Sequence, residues 1–131
     1  MIEATPLPAA WQVRFRAGQN EGLANTVKEG VGGAAGMRPH ELLEASLATC
    51  MTITARMALA EVGSSDAGVT VRVQLEREES VTRFRYEVAL PPALERHRTV
   101  VLERVQRSPV LVTLSRQLTF EPAGATPASP R

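Results

Sequence analysis

Cys50 is the residue of this sequence with the clearest capacity for chemistry. It is the single cysteine in a chain of 131 residues, so a disulfide within the chain and a site built from several cysteines are excluded. A cysteine thiolate is a nucleophile, but it needs a nearby positive charge or hydrogen-bond donor to hold its charge. A free cysteine can also serve simply as a small buried hydrophobic residue. The charged residues around Cys50 therefore bear on which role it has.

The charged residues nearest in sequence do not share a helix face with Cys50. Arg56 follows six residues later, which places it about 120° around a helix. Glu41 precedes Cys50 by nine residues, about 14 Å along a helix axis. A site that joins Cys50 to Glu41 or Glu44 must then draw on another chain element or on a second subunit. The remaining candidates for a cationic partner are Arg14, Arg16 and Arg38.

Composition and motifs argue against several other kinds of site. Basic and acidic residues number 15 and 14 and aromatic residues make up only 4% of the chain, so no nucleic-acid surface is indicated. With two histidines and one cysteine, we expect no metal site. The glycine-rich run from Gly30 to Gly36 loosely matches a dinucleotide-binding fingerprint. Because Pro39 follows at once and no acidic residue ends a second strand at the required distance, we interpret this run as a mobile loop and expect no cofactor.

The hydropathy pattern predicts an α+β domain. Alternation predicts a strand over Trp11–Ala17, a turn at residues 18–20 and a weaker strand over Leu23–Val27. Val69–Glu76 and Phe84–Leu90 alternate in the same way and predict an antiparallel hairpin with one charged face. The rest of the chain predicts a second helix over Ala93–Arg107, an apolar segment of undecided type at Val110–Leu114, a last strand over Arg116–Glu121 and a disordered tail over Pro122–Arg131.

A long helix is predicted over Pro39–Val62, with Cys50 at its centre. Pro39 suits the first turn, Glu41 favours the positive end of the helix dipole, and Gly63 is a typical terminator. Apolar residues cover almost the whole circumference, so this helix should be buried on most sides. One small sheet cannot provide that cover. We therefore expect a second copy of the chain to contribute it.

The N-terminus and the apolar stretches bear on localisation. The longest apolar stretch, Leu42–Val62, is interrupted by Glu44, Arg56 and Glu61, so we expect it not to span a membrane. Residues 1–10 lack the basic-then-apolar pattern of a signal peptide. We expect a cytoplasmic protein whose residues 1–121 form a single domain.

The run from Gly36 to Thr54 carries a motif. It combines a glycine-rich loop, a proline, the helix entry Glu41-Leu42-Leu43, an alanine-rich turn and a cysteine at the centre of a long helix. In this it resembles the OsmC/Ohr family, the osmotically inducible and organic hydroperoxide resistance proteins. The order of strands, helix, hairpin, second helix and last strand also agrees, so the resemblance extends over most of Trp11–Glu121.

This resemblance implies an OsmC-like fold in which antiparallel sheets surround the long central helices of an intertwined homodimer. It also implies that the Cys50 thiolate attacks an organic hydroperoxide and becomes a sulfenic acid. In the family, an arginine stabilises the thiolate, a glutamate orients that arginine, and a second cysteine forms a disulfide with the first. Carried over to this sequence, Cys50 is the nucleophile, Arg14 or Arg16 is the arginine, and Glu41 is the carboxylate.

Three positions depart from the family pattern. The second cysteine usually lies in a Cys-Pro-Val-like run, where this chain has Ser108-Pro109-Val110, and a serine hydroxyl cannot form the disulfide. Gln19 stands where the catalytic arginine is sought, which leaves the two arginines of the first predicted strand as substitutes. In the hydroperoxide-resistance branch, the catalytic carboxylate falls one residue before Glu41, where this chain has His40.

Two functions of different classes remain open. In the first, the protein is a thiol-dependent reductase of organic hydroperoxides in oxidative-stress defence, with Cys50 as its single reactive thiol and an external thiol as reductant. In the second, it is a non-enzymatic member of the same fold that keeps Cys50 as a redox sensor or a packing residue and binds a small apolar ligand in the dimer cleft. The motif around Cys50 favours the first function, and the serine at position 108 favours the second.

Overall fold

Short antiparallel strands flank one long helix in this chain. The structure is a computed structural model that describes residues 1–64 and 68–123. The strands of the described part are β1 (Glu3–Pro6), β2 (Val13–Ala17), β3 (Asn20–Ala24), β4 (Val27–Lys28), β5 (Val31–Gly32), β6 (Thr70–Arg77) and β7 (Thr82–Ala89). Its helices are α1 (Pro39–Glu61), a 3₁₀ helix (Pro92–His97), α2 (Arg98–Val105) and α3 (Pro109–Ser115).

The N-terminal sheet is antiparallel and three-stranded, in the order β1-β2-β3. The strand predicted over Trp11–Ala17 is confirmed from Val13 onward. Its residues alternate between half-buried and exposed, with Arg14 and Arg16 on the exposed side. The second strand, β3, begins earlier than the predicted Leu23–Val27, because its pairing with β2 continues directly from a two-residue turn at residues 18–19. The alternation of the sequence therefore placed the first strand well and the second less well.

The glycine-rich run, predicted to be a mobile loop, contains the short strand β5. This strand pairs with β4, which precedes the run, and each of the two strands has two residues. Met37 then forms a parallel bridge with Ala24, and its carbonyl accepts the Asn25 N–H at 3.0 Å. A Cβ atom on Gly36 would lie 2.1 Å from the carbonyl oxygen of Leu23, so only glycine fits. This close approach fixes the start of α1 against β3.

The predicted long helix is confirmed as α1. The Arg38 N–H donates to the Glu41 carboxylate at 2.8 Å, which satisfies one of the free donors at the start of the helix. Gly63 ends the helix at a φ of +87°, and its N–H donates to the Ala60 carbonyl at 3.1 Å. Both ends of α1 are therefore set by local interactions that the sequence pattern predicts.

The hydrophobic core lies between α1, the β6-β7 hairpin and α2. The predicted hairpin is confirmed, and its inner side chains face each other across the strands, Val71 opposite Val88 and Leu75 opposite Phe84. The Leu75 N–H also donates to the Glu44 carboxylate at 2.7 Å, which ties β6 to α1. The buried residues of the core are Leu47, Met51, Ala55, Ala58, Leu59, Val69, Val88, Leu94, Val101 and Val105.

The outer face of the hairpin carries charged pairs, as predicted. They are Arg72 with Glu87, Arg83 with Glu78, and Arg85 with Glu76. Exposed ion pairs of this kind add little stability individually. Opposite charges across the two strands nonetheless favour the observed pairing over alternatives that bring like charges together.

Only one side of α1 is covered in a single chain. Its five buried residues all belong to the core, while the apolar residues Leu43, Ile53 and Met57 are 43%, 59% and 55% exposed. We call these three residues the exposed face of α1. The burial on most sides that composition predicts is thus not reached within one chain, because β6, α2 and α3 contact the helix but leave this face open.

The C-terminal region departs from the sequence prediction. The second helix is divided into the 3₁₀ helix and α2, and the undecided segment after it is α3. The strand predicted over Arg116–Glu121 is wrong, since these residues have no strand partner among the described residues and Phe120 is 91% exposed. Of the predicted tail, residues 124–131 lie outside the described part of the chain, so its disorder stays a prediction.

Replacing Gly36 with alanine should destabilise the protein by about 1–3 kcal/mol, because the new Cβ atom would overlap backbone that cannot move without breaking the contact of β3 with Met37. Gly33→Ala is a matched control, since its Cβ atom would lie 3.6 Å from the nearest atom, an ordinary contact. Urea unfolding of the two variants measures the difference. Equal free energies of unfolding for the two variants would show that the close approach at Gly36 does not contribute to stability.

Candidate functional site

Cys50 lies half-buried at the middle of α1 and faces the start of α3. Its Sγ accepts a hydrogen bond from the Val110 N–H, with 3.4 Å between nitrogen and sulfur. The sulfur also lines a cavity of about 330 Å³ that lies between α1 and the end of α2. The residues lining this cavity are Cys50, Ile53, Thr54, Met57, Arg104, Arg107 and Pro109.

Two arginines that the sequence did not single out share this cavity with Cys50. Arg104 is held by Glu61 at the end of α1, with 2.7 Å between Nη1 and Oε1. Their hydrogen bond lowers the pKa of Glu61 and raises the pKa of Arg104, so both groups stay charged. Arg107 forms no ion pair with any described residue. These arginines lie just before Ser108-Pro109-Val110, and that proximity is the one sequence signal that could have found them.

Ser108-Pro109-Val110 lies beside Cys50, at the junction of α2 and α3. Pro109 is the first residue of α3 and contributes to the wall of the Cys50 cavity. Ser108 is fully buried. The position that departs from the OsmC/Ohr pattern is therefore close to the sulfur, and it carries a hydroxyl rather than a thiol.

Glu41 lies in a different place, at the first turn of α1. It is held by Arg38, whose backbone N–H is 2.8 Å from one carboxylate oxygen and whose Nη2 is 3.3 Å from the other. The Arg38 N–H, which donates to this carboxylate, holds the pKa of Glu41 below its usual value. A second cavity of about 480 Å³ is formed here. Its lining residues are Thr26, Val27, Lys28, Arg38, Pro39, His40, Glu41, Glu44, Leu75 and Arg77.

Arg14 and Arg16 are exposed on β2, and neither lines the Cys50 cavity. The Arg16 Nε donates to Glu3 on the neighbouring strand at 3.1 Å. One chain therefore does not bring Arg14, Arg16 or Glu41 to Cys50. The groups it does bring there are Arg104, Arg107 and the Val110 N–H.

Among the described residues, no group of three or more His, Cys, Asp or Glu side chains is placed to hold a metal ion. The arrangement at Cys50 is instead a thiol in an open, mostly apolar cavity with a nearby amide donor and two cationic side chains. Cys50 is therefore a half-buried thiol that lines a cavity, not a residue of the buried core.

Comparison with known proteins decides the family. A sequence model described as OsmC-like protein matches residues 32–123, which includes α1, the hairpin, α2 and α3. This chain belongs to the OsmC-like family. The match confirms the resemblance seen around Cys50 and covers most of the chain. No match to a curated protein sequence was found.

Solved structures confirm the OsmC-like fold. An OsmC-like protein from Mycoplasma pneumoniae matches at a TM-score of 0.67 and 16% identity, covering 88% of this chain and 86% of that one. An osmotic stress induced and detoxification response protein from Psychrobacter arcticus matches at a TM-score of 0.68 and 17% identity, covering 86% of this chain and 85% of that one. An organic hydroperoxide resistance protein OsmC from Legionella pneumophila matches at a TM-score of 0.57 and 14% identity, covering 87% of each chain.

The pKa of Glu41 leads to a pH-dependent prediction. Because its pKa is lower in the folded protein, Glu41 contributes stability above the ordinary glutamate pKa of about 4.3, and this contribution is lost as the pH falls through the folded value. Glu41→Gln should therefore lower Tm at about pH 7 and have little effect near pH 3. Thermal unfolding across pH measures this.

Glu103→Gln is the matched control, since Glu103 is an exposed helix residue without an ion pair to the described residues. It should leave Tm unchanged at both pH values. A Tm difference for Glu41→Gln that does not shrink on acidification would contradict the assigned role of the Arg38 amide.

Proposed function

We propose that this OsmC-like protein reduces organic hydroperoxides, with Cys50 as its single reactive cysteine and an external thiol as reductant. The observation that carries this proposal is the surroundings of Cys50: an open apolar cavity, an amide N–H at 3.4 Å from the sulfur, and two arginines in the same cavity. Apolar walls suit an organic substrate, and the positive charges suit a thiolate.

The proposed reaction has two stages. The Cys50 thiolate attacks the terminal oxygen of the hydroperoxide, an S–O bond forms as the O–O bond breaks, and the alkoxide takes a proton and leaves as an alcohol. A first external thiol then displaces water from the sulfenic acid to give a mixed disulfide. A second external thiol releases the reduced cysteine and leaves as the disulfide of the reductant. No cofactor is needed, because the external thiol supplies both electrons.

A second copy of the chain completes the site in this proposal. Glu41 and the β2 arginines, Arg14 and Arg16, lie away from Cys50 in one chain, so they reach the sulfur only from a partner. The exposed face of α1 supports a homodimer, since Ile53 and Met57 lie beside Cys50 and are more than half exposed. Large apolar side chains exposed together are typical of an interaction surface.

α1 is long and apolar enough to cross a membrane by length and composition alone, a property that core helices of soluble proteins share. Its contacts with β6, α2 and α3, together with the Glu44 carboxylate bound to β6, support a helix inside a folded domain. We propose that a second copy, not lipid, covers its exposed face. A cytoplasmic location without nucleic-acid partners belongs to the same proposal.

A second candidate function is supported by Ser108. With a hydroxyl beside Cys50 and no second cysteine in the chain, oxidation of Cys50 cannot be resolved internally. A protein of this kind could act as a redox sensor, or bind an apolar ligand in the Cys50 cavity without turnover.

Purified wild-type protein should consume an organic hydroperoxide when an excess of dithiol is present, whereas Cys50→Ser should show only the background rate, because serine cannot form a sulfenic acid. Equal rates for the two proteins would reject the peroxidase proposal. A single stoichiometric oxidation of the wild type without turnover would favour the sensor instead.

Arginine variants test how the site is completed. Loss of a charge-assisted hydrogen bond to the thiolate should lower kcat/KM about tenfold or more in Arg14→Gln or Arg16→Gln. Arg72→Gln, on the outer face of the hairpin, is the matched control. If only Arg104→Gln and Arg107→Gln reduce the rate, the arginines of the same chain fill this role and the contribution from β2 is excluded.

The homodimer is tested by mass in solution. Wild type should have twice the 14.2 kDa mass of one chain in light scattering. Ile53→Glu should weaken the dimer at least about hundredfold, since an unpaired buried charge costs roughly 3 kcal/mol or more. Val100→Glu is the control, because Val100 is an exposed valine on α2 and does not belong to the exposed face of α1. A monomeric wild type would contradict the proposal.

A further inference from the structure

Ser108 has a buried hydroxyl that the proposed reaction does not use. The residue is 0% exposed, and its Oγ forms no hydrogen bond with any described residue. A buried hydroxyl without a partner costs free energy, whereas an alanine in the same place would not. The presence of such a group beside a reactive cysteine points to a partner that is absent from the reduced protein.

Ser108 lies two residues before the Val110 amide that contacts the Cys50 sulfur. Ser108 is the N-cap residue of α3, and a serine there ordinarily accepts a hydrogen bond from the second or third amide of the helix. Here Val110, the second residue, donates to Cys50 Sγ at 3.4 Å instead. The amide that would ordinarily bind the N-cap hydroxyl is therefore used by the sulfur, and the hydroxyl is left without that partner. The neighbours of Ser108 in sequence, Arg107 and Pro109, both line the Cys50 cavity.

A thioether or thiol sulfur is a weak hydrogen-bond acceptor, but an oxygen bonded to it is a strong one. Oxidation of Cys50 adds such an oxygen at a site lined by the neighbours of Ser108, whose hydroxyl is an unused donor. We propose that the Ser108 hydroxyl donates a hydrogen bond to the oxygen of the Cys50 sulfenic acid and so makes this oxidised form long-lived. The proposal rests on the proposed function for the oxidation itself and deepens it by assigning the fate of the oxidised cysteine after the first stage.

The chemistry balances without a further reactant. The thiolate, one hydroperoxide and one proton give the sulfenic acid and one alcohol, with the sulfur oxidised by two electrons and the peroxide reduced by two. A serine hydroxyl cannot displace the sulfenic oxygen to form a disulfide, so it leaves the oxidised sulfur intact. The sulfenic acid then persists until an external thiol reduces it or a second hydroperoxide converts it to a sulfinic acid.

The lifetime of the sulfenic acid tests this proposal. Wild type, Ser108→Ala and Ser115→Ala are each treated with one equivalent of cumene hydroperoxide without thiol and trapped with dimedone at successive times, and the adduct is measured by intact mass. Ser115→Ala is the matched control, because this hydroxyl lies on the same helix and already donates to the Leu111 carbonyl at 2.7 Å. We expect equal initial adduct in all three, and a lifetime about fivefold shorter in Ser108→Ala only, the factor that one hydrogen bond of ordinary net strength gives.

The outcomes separate this proposal from the proposed function. Equal lifetimes in wild type and Ser108→Ala would overturn the role of Ser108 and leave the peroxidase proposal standing. If no hydroperoxide yields an adduct in wild type, both proposals fall. Thermal unfolding of the reduced proteins checks folding, and Ser108→Ala should be at least as stable as wild type because it removes an unpartnered hydroxyl.

A second variant tests the proximity directly. In Ser108→Cys, the new thiol should attack the Cys50 sulfenic acid, release water and form an intrachain disulfide that intact mass detects under non-reducing conditions. A sulfenic acid that persists beside a free thiol in this variant would show that the side chain at position 108 does not reach the oxidised sulfur, and the proposal would be wrong.

Discussion

The rise of the α-helix, about 1.5 Å per residue, fixes the distance between Glu41 and Cys50 because both lie on α1. No rearrangement of loops can bring these two side chains together within one chain. The groups that surround the sulfur must come from elements that cross the middle of α1. The groups that surround the Glu41 carboxylate must come from elements at the start of α1. The separation of the Cys50 cavity from the Glu41 cavity follows from this single constraint.

The packing of other elements against α1 determines which groups lie near Cys50 and which lie near Glu41. The end of α2 and the start of α3 cross the helix near its middle, so Arg104 and Arg107 line the cavity of the sulfur and the Val110 amide donates to the sulfur. The β3 strand and the glycine-rich segment meet the start of the helix, where Arg38 holds the carboxylate. The sulfur thus has an amide donor and positive charge nearby, no carboxylate is among the described residues that line its cavity, and the exposed face of α1 runs alongside it.

Sequence reasoning succeeded where structure is local and failed where it depends on packing. Helix α1 and the hairpin follow from periodicity and from residues at their ends, so both were predicted closely. Leu118 and Phe120 alternate as a strand does, but alternation alone cannot provide a hydrogen-bonding partner. Arg104 and Arg107 line the Cys50 cavity because the end of α2 packs against α1, and apart from their proximity to Ser108-Pro109-Val110 the sequence does not predict that packing. The cysteine itself was identifiable because its helix position and surrounding motif are properties of the local sequence.

The charged pairs on the outer face of the hairpin disfavour both wrong strand register and aggregation. A shift of one residue between β6 and β7 would turn their arginines and glutamates toward the core, where unpaired charges are very unfavourable. The same charges make these strands poor templates for adding strands from other molecules. Three weak surface interactions therefore act against misregistered and aggregated forms while adding little to the stability of the native one.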